Sequence, residues 1–420
     1  MTDQKIMNRW FVAIGAIFIQ LALGAIYAWS VFTPYLEDAN WTKTQTQAVF
    51  AAGLAFFAIV MVIAGRLMPK VGPRILALAG GIILGLGYFL AGYIAPYNFY
   101  STLFFIGIMG GSGIGLAYVV PIACGMKWFP DKKGLITGLA VAGFGFGATL
   151  WVKLAGSWGG LLAKTSLGTT FMIYGGIFLA MVFIGGIFMV FPPEGYVPAG
   201  WDPEAHENSK TNKNKSTKAN LKTGAMLKTP QFYMIFITFL FGAAAGLMAI
   251  GLMKAFPSIA LQENGIDGKA ALAIAGTAMG VFYALANGLG RIAWGVISDK
   301  LGRKVSLVIM TASQGIIVIL FPYMAGTPYL LYIGATLIGF NFGGNFSLFP
   351  TITSETFGAK YIGQNYGWVF LAYGVGGIGG PIMGGKLGDM GNFPLAFTIA
   401  GGLCLVGAII VAFVKPVSDE

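Results

Sequence analysis

Twelve predominantly apolar runs follow one another along the chain, at about 10–32, 46–68, 74–95, 100–126, 134–160, 168–191, 231–255, 270–297, 304–324, 328–352, 362–386 and 392–414. A helix needs about 20 such residues to cross a hydrocarbon core of about 30 Å. Inside lipid every backbone polar group must be satisfied within the protein, so long apolar runs have to be helices. The fold class is therefore an all-α membrane protein with twelve transmembrane helices. Only 10% of the 420 residues are charged, against roughly 25% in a soluble domain, which excludes a soluble globular enzyme. Disorder requires low hydrophobicity, and 56% of this chain is hydrophobic. The 64 glycines follow no triplet period and fit close helix packing. The single histidine, His206, lies in a polar stretch, and Cys124 and Cys404 lie in apolar runs. That leaves no material for a disulfide framework, a metal site or Ser-His chemistry, so no cofactor, no metal and no enzymatic activity are expected.

The residues before the first run end Asn8-Arg9-Trp10, and no small-residue cleavage site follows, so the first helix is expected to be retained. An even number of spans places both termini on one side. With the termini inside, nineteen of the 26 Lys and Arg fall on the cytoplasmic side, six fall on the other, and Arg291 remains within a run. This is the positive-inside pattern. It predicts cytoplasmic termini in the plasma (inner) membrane, and it explains the net charge of +11 as topology and not as nucleic-acid binding. The expected partners are the bilayer and a small-molecule substrate, and a monomer is expected. The one long polar stretch, 192–229, opens with Pro192-Pro193 and continues as a Lys/Asn/Ser run that cannot bury a core. It reads as a cytoplasmic linker between an N-terminal six-helix bundle, 1–191, and a C-terminal one, 230–420.

The two halves repeat. The segment Gly65 to Arg74 resembles Gly295 to Lys304; Ala117-Tyr118-Val119-Val120-Pro121 matches Phe346-Ser347-Leu348-Phe349-Pro350; Phe144-Gly145-Phe146-Gly147 matches Tyr373-Gly374-Val375-Gly376. All three pairs share a shift of about 229 or 230 residues. Parallel six-helix repeats are a transporter architecture, with the substrate site expected where the halves meet. Gly295 to Lys304 resembles the loop signature of the major facilitator superfamily between helices 8 and 9; its first-half counterpart carries Pro69 where Asp is usual. Asn8-Arg9-Trp10-Phe11, Lys127-Trp128-Phe129-Pro130-Asp131-Lys132-Lys133-Gly134, Thr229-Pro230-Gln231-Phe232, Ser298-Asp299-Lys300-Leu301-Gly302-Arg303 and Gln364-Asn365-Tyr366-Gly367 are similar to the oxalate/formate antiporter family, a relative of the monocarboxylate porters. The resemblance covers nearly the whole chain except 192–226 and implies two pseudo-symmetric six-helix bundles.

One charge stands out. No charged residue occurs from Ala270 to Gly290, and then comes Arg291, eight residues before Asp299. At 1.5 Å per residue that is about 12 Å of helix, which places the guanidinium inside the membrane at a cost of at least ~2.5 kcal/mol. All fifteen acidic residues fall in tails, loops or helix ends. The reading is that an anionic substrate neutralises Arg291, a guanidinium being suited to grip a carboxylate with two hydrogen bonds. The alternative is that Arg291 binds backbone carbonyls, or reaches Asp299 or Glu355 at the inner rim. Asn287 and Tyr283 precede Arg291 by one and two turns and share its stripe. Asn287 either orients the guanidinium, binds ligand, or makes a plain interhelical bond.

The family resemblance implies that the helix 8 arginine faces aromatic residues, which here are Tyr27, Tyr118, Phe144, Phe342, Phe346 and Tyr373. Their rings would match the carbon end of a small acid and their hydroxyls its polar end; from the residues alone, each is more simply helix packing. Two departures bear on substrate. Oxalate exchangers carry a lysine on helix 11 where this chain has Tyr373, and one cation balances a monocarboxylate better than a dianion. Animal monocarboxylate porters carry an acid one turn before the arginine, where this chain has Asn287, so no conventional proton carrier is visible. Lys153, near the outer end of helix 5, reads as a snorkelling residue or a helper cation. Gly143, Gly145 and Gly147, and Gly374, Gly376, Gly377, Gly379 and Gly380, read as packing and bending points. The expected function is transport of small carboxylates by alternating access, monocarboxylates such as lactate, pyruvate or formate first. Oxalate or another dicarboxylate exchanged for formate is the alternative, and a non-transporting carboxylate sensor is the alternative of another class.

Overall fold

The computed structural model describes residues 7–156, 158–202 and 220–417. Expectations on 203–219, including His206 and the centre of the 192–229 stretch, and on the extreme termini, lie outside these residues. The described residues form twelve long helices and no strand: α1 (Trp10–Val31), α2 (Lys43–Val71), α3 (Pro73–Ile94), α4 (Phe99–Trp128), α5 (Lys133–Ala155), α6 (Leu167–Gly186), α7 (Pro230–Leu252), α8 (Gly268–Leu301), α9 (Arg303–Met324), α10 (Pro328–Phe357), α11 (Ile362–Asp389) and α12 (Phe393–Ala412). Ten are long and apolar enough to cross a membrane. The other two, α10 and α11, have 30 and 28 residues, so length is not what sets them apart. Polar residues dilute α10, and these are buried: Asn341, Asn345, Ser347, Thr351 and Thr353; α11 is diluted by its many glycines. Polar groups turned inward from a spanning helix mark its functional face.

Helix starts follow local chemistry. Thr42 and Gln45 form a reciprocal capping box at α2; Ser166, Thr229 and Asp267 accept backbone N–H groups at the starts of α6, α7 and α8. The chain turns from α2 into α3 at Gly72 (φ 83°) and from α8 into α9 at Gly302 (φ 96°), a conformation that favours glycine. These glycines are equivalent in the repeat. Some ends differ from the hydropathy reading. α5 stops at Ala155 because Gly156 leaves helical angles (φ −102°, ψ −112°), and α10 continues to Phe357, ending at Gly358 (φ 90°). Short helices at Thr33–Glu37 and Ala255–Glu263 were not anticipated.

The chain divides into two compact units, Met1–Ser209 and Lys210–Glu420. In the first, α1 packs on α5 and α6, α2 on α4, and α3 on α4 and α6. In the second, α7 packs on α11 and α12, α8 on α10, and α9 on α10 and α12. The second pattern is the first shifted by six helices. The glycines repeat as well: Gly143 and Gly147 press α5 against the α1 backbone, and Gly376 and Gly380 press α11 against α7; Gly379 faces open space. The first helix of each unit changes course at a matching place. α1 passes from α to 3₁₀ geometry over Gly24–Val31, and α7 ends at Leu252 before helix resumes at Ala255.

Candidate functional site

In the second unit, α8 begins at its Asp267 cap, passes through a π-helical stretch at Ala278–Tyr283, and runs on as α-helix to Leu301. Such bulges recur at functional sites because they re-aim the side chains that follow. Tyr283, the last residue of that stretch, Asn287 and Arg291 lie one turn apart on one stripe, and all are buried, Arg291 to 0% exposure. Arg291 Nε donates to Asn287 Oδ1 at 3.0 Å. Because Nε only donates, the amide oxygen of Asn287 must face it, which turns the amide NH₂ the other way. The guanidinium carbon lies 4.1 Å from the centre of the Phe346 ring, a cation–π contact that partly replaces lost hydration.

Backbone proximity puts Phe346 there. A side chain at Gly343 of α10 would overlap the Asn287 carbonyl, and one at Gly290 of α8 would overlap the Phe340 carbonyl. The two helices therefore touch main chain to main chain, and the rings of α10 reach the α8 stripe. Phe342 and Phe346 pack edge-on at 5.4 Å, and Phe346 meets Tyr373 of α11 at the same distance. Tyr283 lies 6.3 Å from Phe342. Gly246 of α7 leaves room for the Phe342 ring. Five of the sequence-selected residues, Arg291, Asn287, Phe342, Phe346 and Tyr373, thus form one cluster.

The other three come together in the first unit. Phe144 meets Tyr27 at 5.2 Å and Tyr118 at 5.3 Å, both edge-on. The Tyr118 carbonyl accepts from Gln20 Nε2 at 3.1 Å. Phe57 of α2 joins them, 4.9 Å from Tyr118 and 6.0 Å from Phe144. The sequence did not single out Phe57, since a phenylalanine in an apolar run carries no distinguishing signal.

Asp299 and Glu355, the inner-rim acids considered for Arg291, are both held by Arg303. Its Nη2 lies 2.5 Å from Asp299 and its Nε 2.9 Å from Glu355. Behind Arg291, Trp294 Nε1 donates to Asn341 Oδ1 at 3.2 Å, and Asn341 Nδ2 donates to Ser313 at 3.0 Å. This chain ties α8, α10 and α9 together, and hydropathy gave no hint of it. Lys153 lies in the last turn of α5, half-buried. No group of three or more His, Cys, Asp or Glu able to hold a metal occurs among the described residues.

The sequence model of the Major Facilitator Superfamily matches residues 12–282 and 243–420. The chain is 31% identical to the uncharacterized MFS-type transporter YhjX of Escherichia coli (strain K12), over 88% of this chain and 86% of that protein. It is 25% identical to the oxalate:formate antiporter of Oxalobacter formigenes, over 97% of this chain and 92% of that one. The identity is again 25% to apicoplast pyruvate carrier 1 of Toxoplasma gondii, over 86% and 81%. The fold is that of the solved FucP transporter from E. coli in its outward conformation, with a TM-score of 0.66 at 18% identity, covering 96% of this chain and 98% of that one.

Proposed function

We propose that this chain, which belongs to the Major Facilitator Superfamily, carries small monocarboxylate anions of the lactate, pyruvate or formate type by alternating access. Membership makes it a multi-pass membrane transporter of a small molecule and not an enzyme. The narrower reading rests on one observation above all: a guanidinium with 0% exposure, held by its Nε on Asn287 and laid on the Phe346 ring. A guanidinium grips a carboxylate with two parallel hydrogen bonds. Phe342, Phe346 and Tyr373 supply apolar surface for the carbon end of a small acid and one phenol for its polar end. Tyr27, Tyr118 and Phe144 are proposed to contact the same substrate. One arginine balances one carboxylate, which supports monocarboxylates.

Exchange of oxalate for formate is the second reading, favoured by the similarity to an oxalate:formate antiporter. The protein is proposed to act as a monomer in the plasma membrane with both termini cytoplasmic. A thermal-shift panel of formate, lactate, pyruvate and oxalate on purified protein tests the substrate class, because a ligand that binds the folded state raises its melting temperature. Stabilisation by the monocarboxylates and not by oxalate is expected; stabilisation by oxalate alone overturns it. In proteoliposomes, uptake driven by a pH gradient indicates symport, and uptake requiring internal anion indicates exchange.

A further inference from the structure

The 3₁₀ stretch of α1, Gly24–Val31, carries Tyr27 and is held at both ends by indole N–H groups. At its start, Trp151 Nε1 of α5 donates to the Leu21 carbonyl at 2.7 Å. Toward its end, Trp29 Nε1 donates to the Thr46 carbonyl of α2 at 2.9 Å. The first of these bonds lies at the junction. Where a helix passes from i→i+4 to i→i+3 bonding, a carbonyl at the boundary gives up its helical donor, and the Leu21 carbonyl takes the Trp151 indole. Trp151 is itself fixed. It is 1% exposed, its carbonyl accepts from the Tyr174 hydroxyl, and its ring packs on Tyr174 at 5.1 Å and Phe178 at 4.7 Å.

We propose that Trp151 is a positioning residue for substrate binding: by occupying the Leu21 carbonyl it keeps Gly24–Val31 in 3₁₀ form and so aims Tyr27 at Phe144. The geometry sets the size of the effect. A 3₁₀ helix turns about 120° per residue and an α-helix about 100°. Returning the three steps from Gly24 to Tyr27 to α form rotates Tyr27 by about 60° and shifts it by about 1.5 Å along the axis. That is enough to break the 5.2 Å edge contact with Phe144. Trp151 acts through α1 and touches no substrate. The inference rests on the reading that Tyr27 contacts the transported carboxylate.

The test is concentration-dependent uptake in proteoliposomes, using whichever of pyruvate, lactate, formate and oxalate the wild-type protein carries fastest. Trp151→Phe keeps an aromatic ring and removes the N–H. Replacement of Trp151 by 3-benzothienylalanine keeps the full indole shape without the N–H, and it decides the matter if the Phe variant does not fold. The expected result is a KM raised about fivefold to tenfold with Vmax within about twofold, the signature of lost binding geometry. In a Tyr27→Ala background the same change should leave KM where Tyr27→Ala put it, because both act through one ring. An unchanged KM, a fall in Vmax alone, or an equal KM rise in the Tyr27→Ala background overturns the proposal. Arg291→Ala is measured alongside. If it transports like wild type, the site reading itself fails; if it is inactive while the Trp151 changes leave KM untouched, only the role of Trp151 falls.

Discussion

Arg291 Nε and Asn287 Oδ1, one turn apart on α8, lie 3.0 Å from each other. The bond is within one helix, where a spacing of four residues brings the two side chains to the same face. It fixes the plane of the guanidinium, which then rests on Phe346 at 4.1 Å. A buried cation prepared in this way has lost most of the freedom that binding would otherwise have to remove.

Asn287→Asp places a carboxylate where the amide oxygen now accepts from Arg291. The new fixed anion neutralises the guanidinium and competes with substrate, so KM for the carboxylate should rise at least about tenfold. Asn287→Ala removes one hydrogen bond, about 0.5–1.5 kcal/mol net, and should raise KM only a few-fold. Uptake kinetics on both variants check the order; a larger loss in Ala than in Asp contradicts it.

Arg291→Ala should abolish saturable carboxylate uptake and the thermal stabilisation by carboxylates. Arg291→Lys keeps the charge but loses the planar fork, and should weaken binding by about tenfold or more. Full activity in the Lys variant would show that charge alone suffices and that the two-bond grip is wrong.

Phe346→Leu keeps an apolar side chain and removes the ring beneath Arg291. A desolvated cation–π contact contributes about 2 kcal/mol, so affinity should fall by up to about thirtyfold. Phe346→Tyr, which keeps the ring, should stay close to wild type. Thermal-shift titration with the transported carboxylate distinguishes the two.

Tyr373→Lys adds a second cation to the cluster that holds Arg291, on the helix whose ring already meets Phe346 at 5.4 Å. Preference should move from monocarboxylates toward oxalate, read as the ratio of their KM values in uptake assays. An unchanged ratio defeats the charge-balance argument for substrate class.

Gly343→Val inserts a branched side chain where α10 meets the Asn287 carbonyl. Overpacking of this kind costs about 1–3 kcal/mol, and the melting temperature should fall accordingly. Uptake should fall too, because separating α8 from α10 lifts Phe346 away from Arg291. A variant of normal stability and normal KM would mean the backbone contact does not position the site.

Much of the fold was legible early. Each apolar run became a long helix, although α10, through its polar residues, and α11, through its glycines, are less apolar than the other ten while being among the longest. The repeat shift seen in short motifs reappears in the paired turns at Gly72 and Gly302 and in the matching packing of the two units. The stripe of Tyr283, Asn287 and Arg291 followed from spacing, and the Arg291–Asn287 bond was one of the alternatives it left open. The indole contacts of Trp151 and Trp29 left no trace in the sequence, and neither did the 3₁₀ turn they frame or the Trp294–Asn341–Ser313 chain.

By itself, then, the order of residues determined the helices, their number, the duplication and the one misplaced charge, because apolar run length and the cost of burying an ion are properties of a short stretch of chain. Only the tertiary structure decided which groups became partners: Arg303 with Asp299 and Glu355, Phe346 under Arg291, Trp151 on Leu21. Those choices depend on which helices approach closely enough for side chains to meet. Glycines far apart in sequence, such as Gly290 and Gly343, set that approach by letting main chains touch, and no local pattern of hydropathy records it.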